Sequence, residues 1–350
     1  MEPASRTAIP VAKEAVRESF LLDPPKSDGP VVVQVGFYLS DINAINEEAE
    51  TFEFEGILTL KWQDDRQAFN PTEVGAQEKV YQGAFQFNEV FTGWFPQVVL
   101  ANVSGLYEKH GILLRVQPDG IMTYMETVNA IAETQLDLRR VPFDHQRLEA
   151  IFDVLGFNSR EVVLDVDPKT TGPWPDDDHT VRLAQWSSPV VTTSTRDRDT
   201  IYAGGRGIVS AFIVSVDLYR EPRFMVRLVV VPLVLLVMLS WSVFWMDRAS
   251  LGDRMDISFV GILSVVAYQI VLGEILPRIS YLTLLNTFIN ISFDIMCASV
   301  VINLVVGWLD RHGKTELGDR LDHRCRWIFP LVYFGLLLVV AVVAFSLPSR

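Results

Sequence analysis

At 350 residues, with 49% hydrophobic side chains and a mean hydropathy of +0.23, the chain is too apolar to be an ordinary soluble protein. Its formal net charge of −13 argues against nucleic acid or anionic lipid headgroups as partners and favours cations. Both cysteines, Cys297 and Cys325, lie in the C-terminal third, so no disulfide framework holds the rest of the chain.

Residues 1–30 form a polar, Pro-containing extension without the apolar core of a secretory leader; if this part is exported, a removed leader is implied. Within it, Ala12, Val16 and Phe20 recur at i, i+4 and i+8 before Asp23-Pro24-Pro25, which predicts a short amphipathic helix with a stop. From Val31 the texture alternates: 31–39, 51–62, and 111–116 against 121–129 across Pro118-Asp119-Gly120 read as strands with turn punctuation. Many short strands without intervening helices predict an immunoglobulin-like β-sandwich over 31–221. Residues 167–180 read as a long loop; its run Asp176, Asp177, Asp178 and His179 is a solvated face more often than a Ca²⁺ site, so no metal site is assigned. The five histidines show no metal spacing, and no nucleophile-base or phosphate-cradling motif occurs, so neither a cofactor nor an enzymatic activity is expected.

Four apolar runs follow, at 228–246, 257–273, 279–309 and 327–347, each near the ~20 residues that span a bilayer. They predict a transmembrane domain over 222–350 with helices at about 224–246, 255–275, 280–309 and 325–347. The basic link 310–326 places itself in the cytoplasm and the sandwich outside. In the second run, Asp256, Val260, Leu263, Ala267, Ile270 and Glu274 fall on one helical stripe, with Asp253 just before it. A carboxylate at each end and aliphatic residues between them suit a cation pore, with the Leu263 and Ile270 levels narrow enough to gate by dewetting. A helix with acidic caps facing water is the plainer reading. Asn286, Asn290 and Asp294 share a face of the third helix; an acid at that depth is either functional or held by a neighbouring helix, with Ser240 or Ser242 as candidate partners.

Residues 136–148, Leu-Asp-Leu-Arg-Arg-Val-Pro-Phe-Asp-His-Gln-Arg-Leu, closely resemble the signature loop of the pentameric ligand-gated ion channels, the Cys-loop receptor superfamily. The two loop cysteines would fall on Thr134 and Leu148, so the resemblance is to a prokaryotic, open-loop member. Trp62-Gln63-Asp64, Trp94-Phe95-Pro96, Asn102, Arg220-Glu221-Pro222, Pro232, Ser240-Trp241, Phe244-Trp245 and 275–278 match in the family's order.

The resemblance implies a bacterial homopentamer in the inner membrane that passes monovalent cations along a pore lined by the second helix. It would be gated by a small-molecule agonist or by protons. Asp256 would hold the cytoplasmic selectivity position, Leu263 the central gate and Glu274 the outer mouth. Gly252-Asp253-Arg254 resembles the acidic-then-basic entrance of cation channels. Coupling would run through Pro142, Phe143 and Asp144 in the signature loop, Arg220, and the loop around Pro277. The aromatic cage of amine receptors is depleted: Ala101 and Ile57 stand at two of its positions, leaving Phe157 with neighbouring Asn158, and Tyr202, as ligand-contact candidates. A membrane-anchored sensor remains the rival, and would not need a stripe that is acidic at both ends.

Overall fold

The computed structural model describes residues 23–25, 28–173, 183–200, 207–246, 251–275 and 279–346. The expected N-terminal helix and the Asp176–His179 run lie outside them. The chain divides into two compact units: one comprises 1–135, 147–183 and 188–218, the other 136–146, 184–187 and 219–350.

In the first unit the strands expected from alternation are present and longer. They are β1 (Val31–Asn46), β2 (Thr51–Gln63), β3 (Lys79–Gln82), β4 (Val98–Leu100), β5 (Val103–Val116), β6 (Ile121–Glu133), β7 (His145–Val154), β8 (Val162–Val166), β9 (Gly172–Pro173), β10 (Val190–Thr200) and β11 (Gly207–Tyr219). Among the described residues one sheet runs β3-β5-β6-β2-β1-β8, with β9 also on β1, and the other runs β10-β11-β7-β4. This is a β-sandwich, in which β8 and β9 run parallel to β1. Its core closes between the sheets through Phe37, which lies 5.9 Å from Phe54 beside it and 5.7 Å from Phe152 on the other sheet; Phe152 then meets Phe212. Gly56 makes room for this stack, since a Cβ there would collide with the Phe37 ring.

The inward row of β6 reads Met122, Tyr124, Glu126, Val128, Ala130 and Ala132, so period-2 alternation carries a carboxylate into the apolar face. Such a charge persists only when paired. Lys109 on β5 supplies its Nζ at 2.8 Å, and the Tyr124 hydroxyl donates to the other carboxylate oxygen at 2.7 Å. Burial pulls the Lys109 ammonium down, but Glu126 and Tyr107 outweigh it and hold the group above the ordinary lysine value of 10.5.

The second unit holds four helices long and apolar enough to cross a membrane: α1 (Arg223–Trp245), α2 (Leu251–Ile275), α3 (Leu284–Arg311) and α4 (Thr315–Ser346). Three boundaries differ from the sequence expectation. α2 begins at Leu251 instead of about 255, because Arg254 is anchored inside the bundle. α3 begins at Leu284 instead of about 280, because the Thr283 hydroxyl caps the Asn286 N–H. α4 begins at Thr315 instead of about 325: much of the basic link is helix, since Gly318, Asp322 and Cys325, at i, i+4 and i+7, form a buried face on which Asp322 bonds Arg254. Between helices, Ser240 bonds Ser299 at 3.0 Å and Ser292 bonds Tyr333 at 2.9 Å, the small-residue, hydroxyl-mediated packing that apolar surroundings favour.

The Lys109–Glu126 pair sets a stability test. Lys109→Met should cost about 1–3 kcal/mol, less than for a fully buried pair because the Lys109 side chain is 34% exposed. A lysine raised above its unfolded value stabilises fully below pH 10.5 and loses that contribution as pH climbs through its folded value. Denaturation followed by Trp fluorescence should show this alkaline loss in the wild type and not in Lys109→Met.

Candidate functional site

The α2 stripe marked by the sequence lies on the side of the helix that its own subunit leaves uncovered. Asp256 and Ala267 are exposed, as are Val260, Leu263 and Ile270 at 62%, 69% and 67%. The opposite face is closed: Arg254, Ser258 and Val265 are fully buried and Leu272 nearly so. Asp253 is exposed beside the stripe. Glu274 belongs to the last turn of α2, its side chain outside the description.

Arg254, next to the exposed Asp253, faces the other way. It turns into the bundle, donating through Nη1 to Asp322 Oδ2 at 3.0 Å and through Nη2 to Asp322 Oδ1 at 2.9 Å and Asn303 Oδ1 at 3.2 Å. Asn303 Nδ2 donates to Ser258 Oγ at 3.0 Å, and Ser258 donates back to the Arg254 carbonyl. Three helices meet in one buried network that no local motif announced.

Asp294 is exposed on α3, and neither expected partner takes it: Ser240 pairs with Ser299, and Ser242 donates to the Leu239 carbonyl.

The signature loop 136–146 belongs to the same compact unit as the helices. Asp144 and Arg220 meet there with side chains 1% exposed: Nε–Oδ1 is 2.7 Å, Nη2–Oδ2 is 3.2 Å, and the Arg220 N–H donates to the Asp144 carbonyl. This two-point fork is the geometry that suits guanidinium to carboxylate. Gln146 donates to Asp144 Oδ2 at 2.6 Å and to the Asp137 carbonyl at 2.8 Å, and the Trp186 ring stacks on the Arg220 guanidinium. Val141–Pro142 is cis and Pro142 is buried, while Phe143 is exposed with its ring 6.1 Å from that of Phe345 in α4. The loop is hydrogen-bonded to the α2–α3 connection, where Leu138 N–H donates to the Tyr281 hydroxyl and Leu284 N–H to the Arg139 carbonyl. Pro277 lies outside the described residues; Tyr281, which the sequence reading missed, makes the described contact. No disulfide closes the loop. The Thr134 hydroxyl bridges its neck, donating to the Arg147 carbonyl and accepting from the Glu149 N–H, both at 3.3 Å.

The ligand candidates are spread over the sandwich. Ile57 sits on β2 between Tyr38 and Thr127, in the larger sheet. Phe157 follows β7, in the smaller sheet, and packs edge-on against Trp94 at 5.9 Å. The Asn158 amide oxygen accepts from Arg160 N–H, so it holds the turn after β7. Tyr202 is outside the described residues. Two cavities in this unit, of about 720 and 540 Å³, are lined by other residues, among them Glu50, Glu133 and Glu149 in one and Asp23, Asp64 and Arg66 in the other.

Residues 19–221 match the neurotransmitter-gated ion-channel ligand binding domain, and residues 229–316 the neurotransmitter-gated ion-channel transmembrane region. The chain belongs to the neurotransmitter-gated ion-channel family. It is 26% identical to a proton-gated ion channel of Gloeobacter violaceus over 92% of this chain and 86% of that one. It is 25% identical to the chicken gamma-aminobutyric acid receptor subunit gamma-4, over 79% of this chain and 60% of the receptor subunit. An acetylcholine receptor subunit beta-type of Caenorhabditis elegans is 24% identical over 89% of this chain and 52% of its own length. The chain is thus a multi-pass membrane protein, a ligand-gated ion channel and not an enzyme, with an extracellular ligand-binding domain ahead of four membrane-spanning helices. Membership implies pentameric assembly.

The family's marker residues are engaged within the fold. Trp62 and Trp94 pack edge-on at 6.3 Å, Asp64 is buried and holds Arg66 at 2.8 Å, and Asn102 spans the two sheets, donating to the Glu133 and Glu149 carbonyls at 2.6 and 2.7 Å.

The buried fork sets the second test. Asp144→Ala or Arg220→Ala should each cost about 3–5 kcal/mol, because each strands its partner's charge away from water. The double mutant should cost less than the sum of the singles by more than ~1 kcal/mol. Thermal unfolding of purified pentamers, with surface expression alongside, measures the cycle; strict additivity would mean the two charges act independently.

Proposed function

We propose that this family member is a homopentameric, cation-selective channel of the inner membrane, its pore lined by the α2 stripe Asp253, Asp256, Val260, Leu263, Ala267, Ile270 and Glu274. The observation that carries the reading is the asymmetry of α2: the stripe is the face its own subunit leaves open, and the opposite face is sealed by polar and aliphatic packing. Around an axis, rings of Asp253 and Asp256 would concentrate cations at one mouth and Glu274 at the other, while Leu263 and Ile270 narrow and dry the middle.

Agonist would bind between neighbouring sandwiches. Ile57 and Phe157 stand on different sheets of one subunit, which supports a pocket built by one sheet of one copy and the other sheet of the next. Binding need only favour the open state over the closed one. The path from there would run through Asp144, Arg220 and the signature loop, whose bonds to Tyr281 and Leu284 link it to the segment joining the pore helix to α3. The relatives' names speak of protons, gamma-aminobutyric acid and acetylcholine, so likeness does not choose among agonists. The Gloeobacter violaceus relative, matched along most of both chains, favours protons as the second reading.

Currents from oocytes or planar bilayers, with pH stepped and small amines and carboxylates screened, test this directly. Asp256→Asn should lower both the cation/anion permeability ratio and the unitary conductance; reversal potentials in a salt gradient that do not move would defeat the pore assignment. Leu263→Ser should wet the constriction and shift activation to lower agonist or to spontaneous opening. Reduced open probability without a gain in sensitivity counts against Leu263 as the gate.

A further inference from the structure

The buried network at the base of α2 has no part in the stripe, yet it decides where the stripe faces. Arg254 and Asp256 are two residues apart, about 200° around a helix axis. Holding Arg254 inward therefore holds Asp256 outward. The hold is strong: the guanidinium is 0% exposed, forked onto Asp322 of α4 at 2.9 and 3.0 Å, and cross-bonded to Asn303 of α3, which in turn bonds Ser258 one turn along α2.

Charge gives the network a second effect. Arg254 sits one residue from Asp253 and two from Asp256, the carboxylates assigned to one mouth of the pore. Unpaired, its positive charge would oppose theirs, and within a low-dielectric bundle it would be poorly screened. Asp322 neutralises it from a helix that has no place on the α2 stripe.

We propose that Asp322 is a positioning residue for ion selectivity: through Arg254 it sets the rotation of the base of α2 and cancels a cation that would oppose Asp253 and Asp256. This rests on the reading of α2 as the lining of a cation-selective pore.

The test uses full-length channels, with pentamers at the surface counted and reversal potentials measured in a salt gradient. Asp322→Asn should lower the cation/anion permeability ratio by about 3- to 10-fold, the scale of one uncompensated charge within a Debye length. The double variant Arg254→Gln/Asp322→Asn, whose two amides can still bond but carry no charge, should return the ratio to within about twofold of wild type. An unchanged ratio in Asp322→Asn, or an equally lowered one in the double variant, overturns the proposal. If Asp322→Asn does not reach the surface, Arg254→Gln decides: it removes the cation and leaves Asp322 uncompensated, so the ratio should rise, and an unchanged ratio there overturns the proposal equally. A purely structural pair would alter surface number and leave the ratio alone. Wild-type channels that are not cation-selective would defeat the underlying pore reading, whereas a cation-selective wild type with an unaltered Asp322→Asn defeats only this assignment.

Discussion

A guanidinium removed from water must be matched by a carboxylate, and the helical unit is organised by two such matches. Arg220 with Asp144 ties the end of β11 to the signature loop, and Arg254 with Asp322 ties α2 to α4. Neither pair is a cheap source of stability, since desolvation takes back much of the attraction. What each supplies is uniqueness: a bidentate fork tolerates one relative placement of its two elements. An apolar contact of equal area would allow them to slide or rotate.

That distinction bears on gating. A channel needs elements that move as units between discrete states, and rigid forks make units of segments distant in sequence. On the proposed reading the signature loop, fixed to Arg220 on one side and bonded to Tyr281 and Leu284 on the other, would move as such a unit. The loop neck, closed by the Thr134 hydroxyl where a disulfide could stand, achieves closure through two weak bonds instead of a covalent one.

The residues that betrayed the family are mostly not the residues that do its chemistry. Trp62, Trp94, Asp64 and Asn102 are committed to packing, to a buried ion pair and to bridging the sheets. Such positions announce a fold because few alternatives fill them. Ligand-contacting positions are free to vary with the ligand, and by the resemblance Ile57 and Ala101 would stand at two of the aromatic cage positions.

Local periodicity settled much from sequence alone. Alternation located β1, β2, β5 and β6, apolar runs of membrane length located α1 to α4, and a 3.6-residue stripe singled out the face of α2 that its subunit leaves open. Asp144 and Arg220 were both marked only through the resemblance to the family; their separation of 76 residues lies beyond any periodic signal. The rest was decided in three dimensions. Glu126 on the inward face of β6, Arg254 turning away from the stripe toward Asp322 68 residues on, Tyr281 meeting the signature loop and Asp294 left without Ser240 are outcomes of packing. Hydropathy says which face of an element is buried. Which charge waits on the element packed against it is set by the tertiary fold, because the cost of burying a charge depends on a partner the local sequence does not contain.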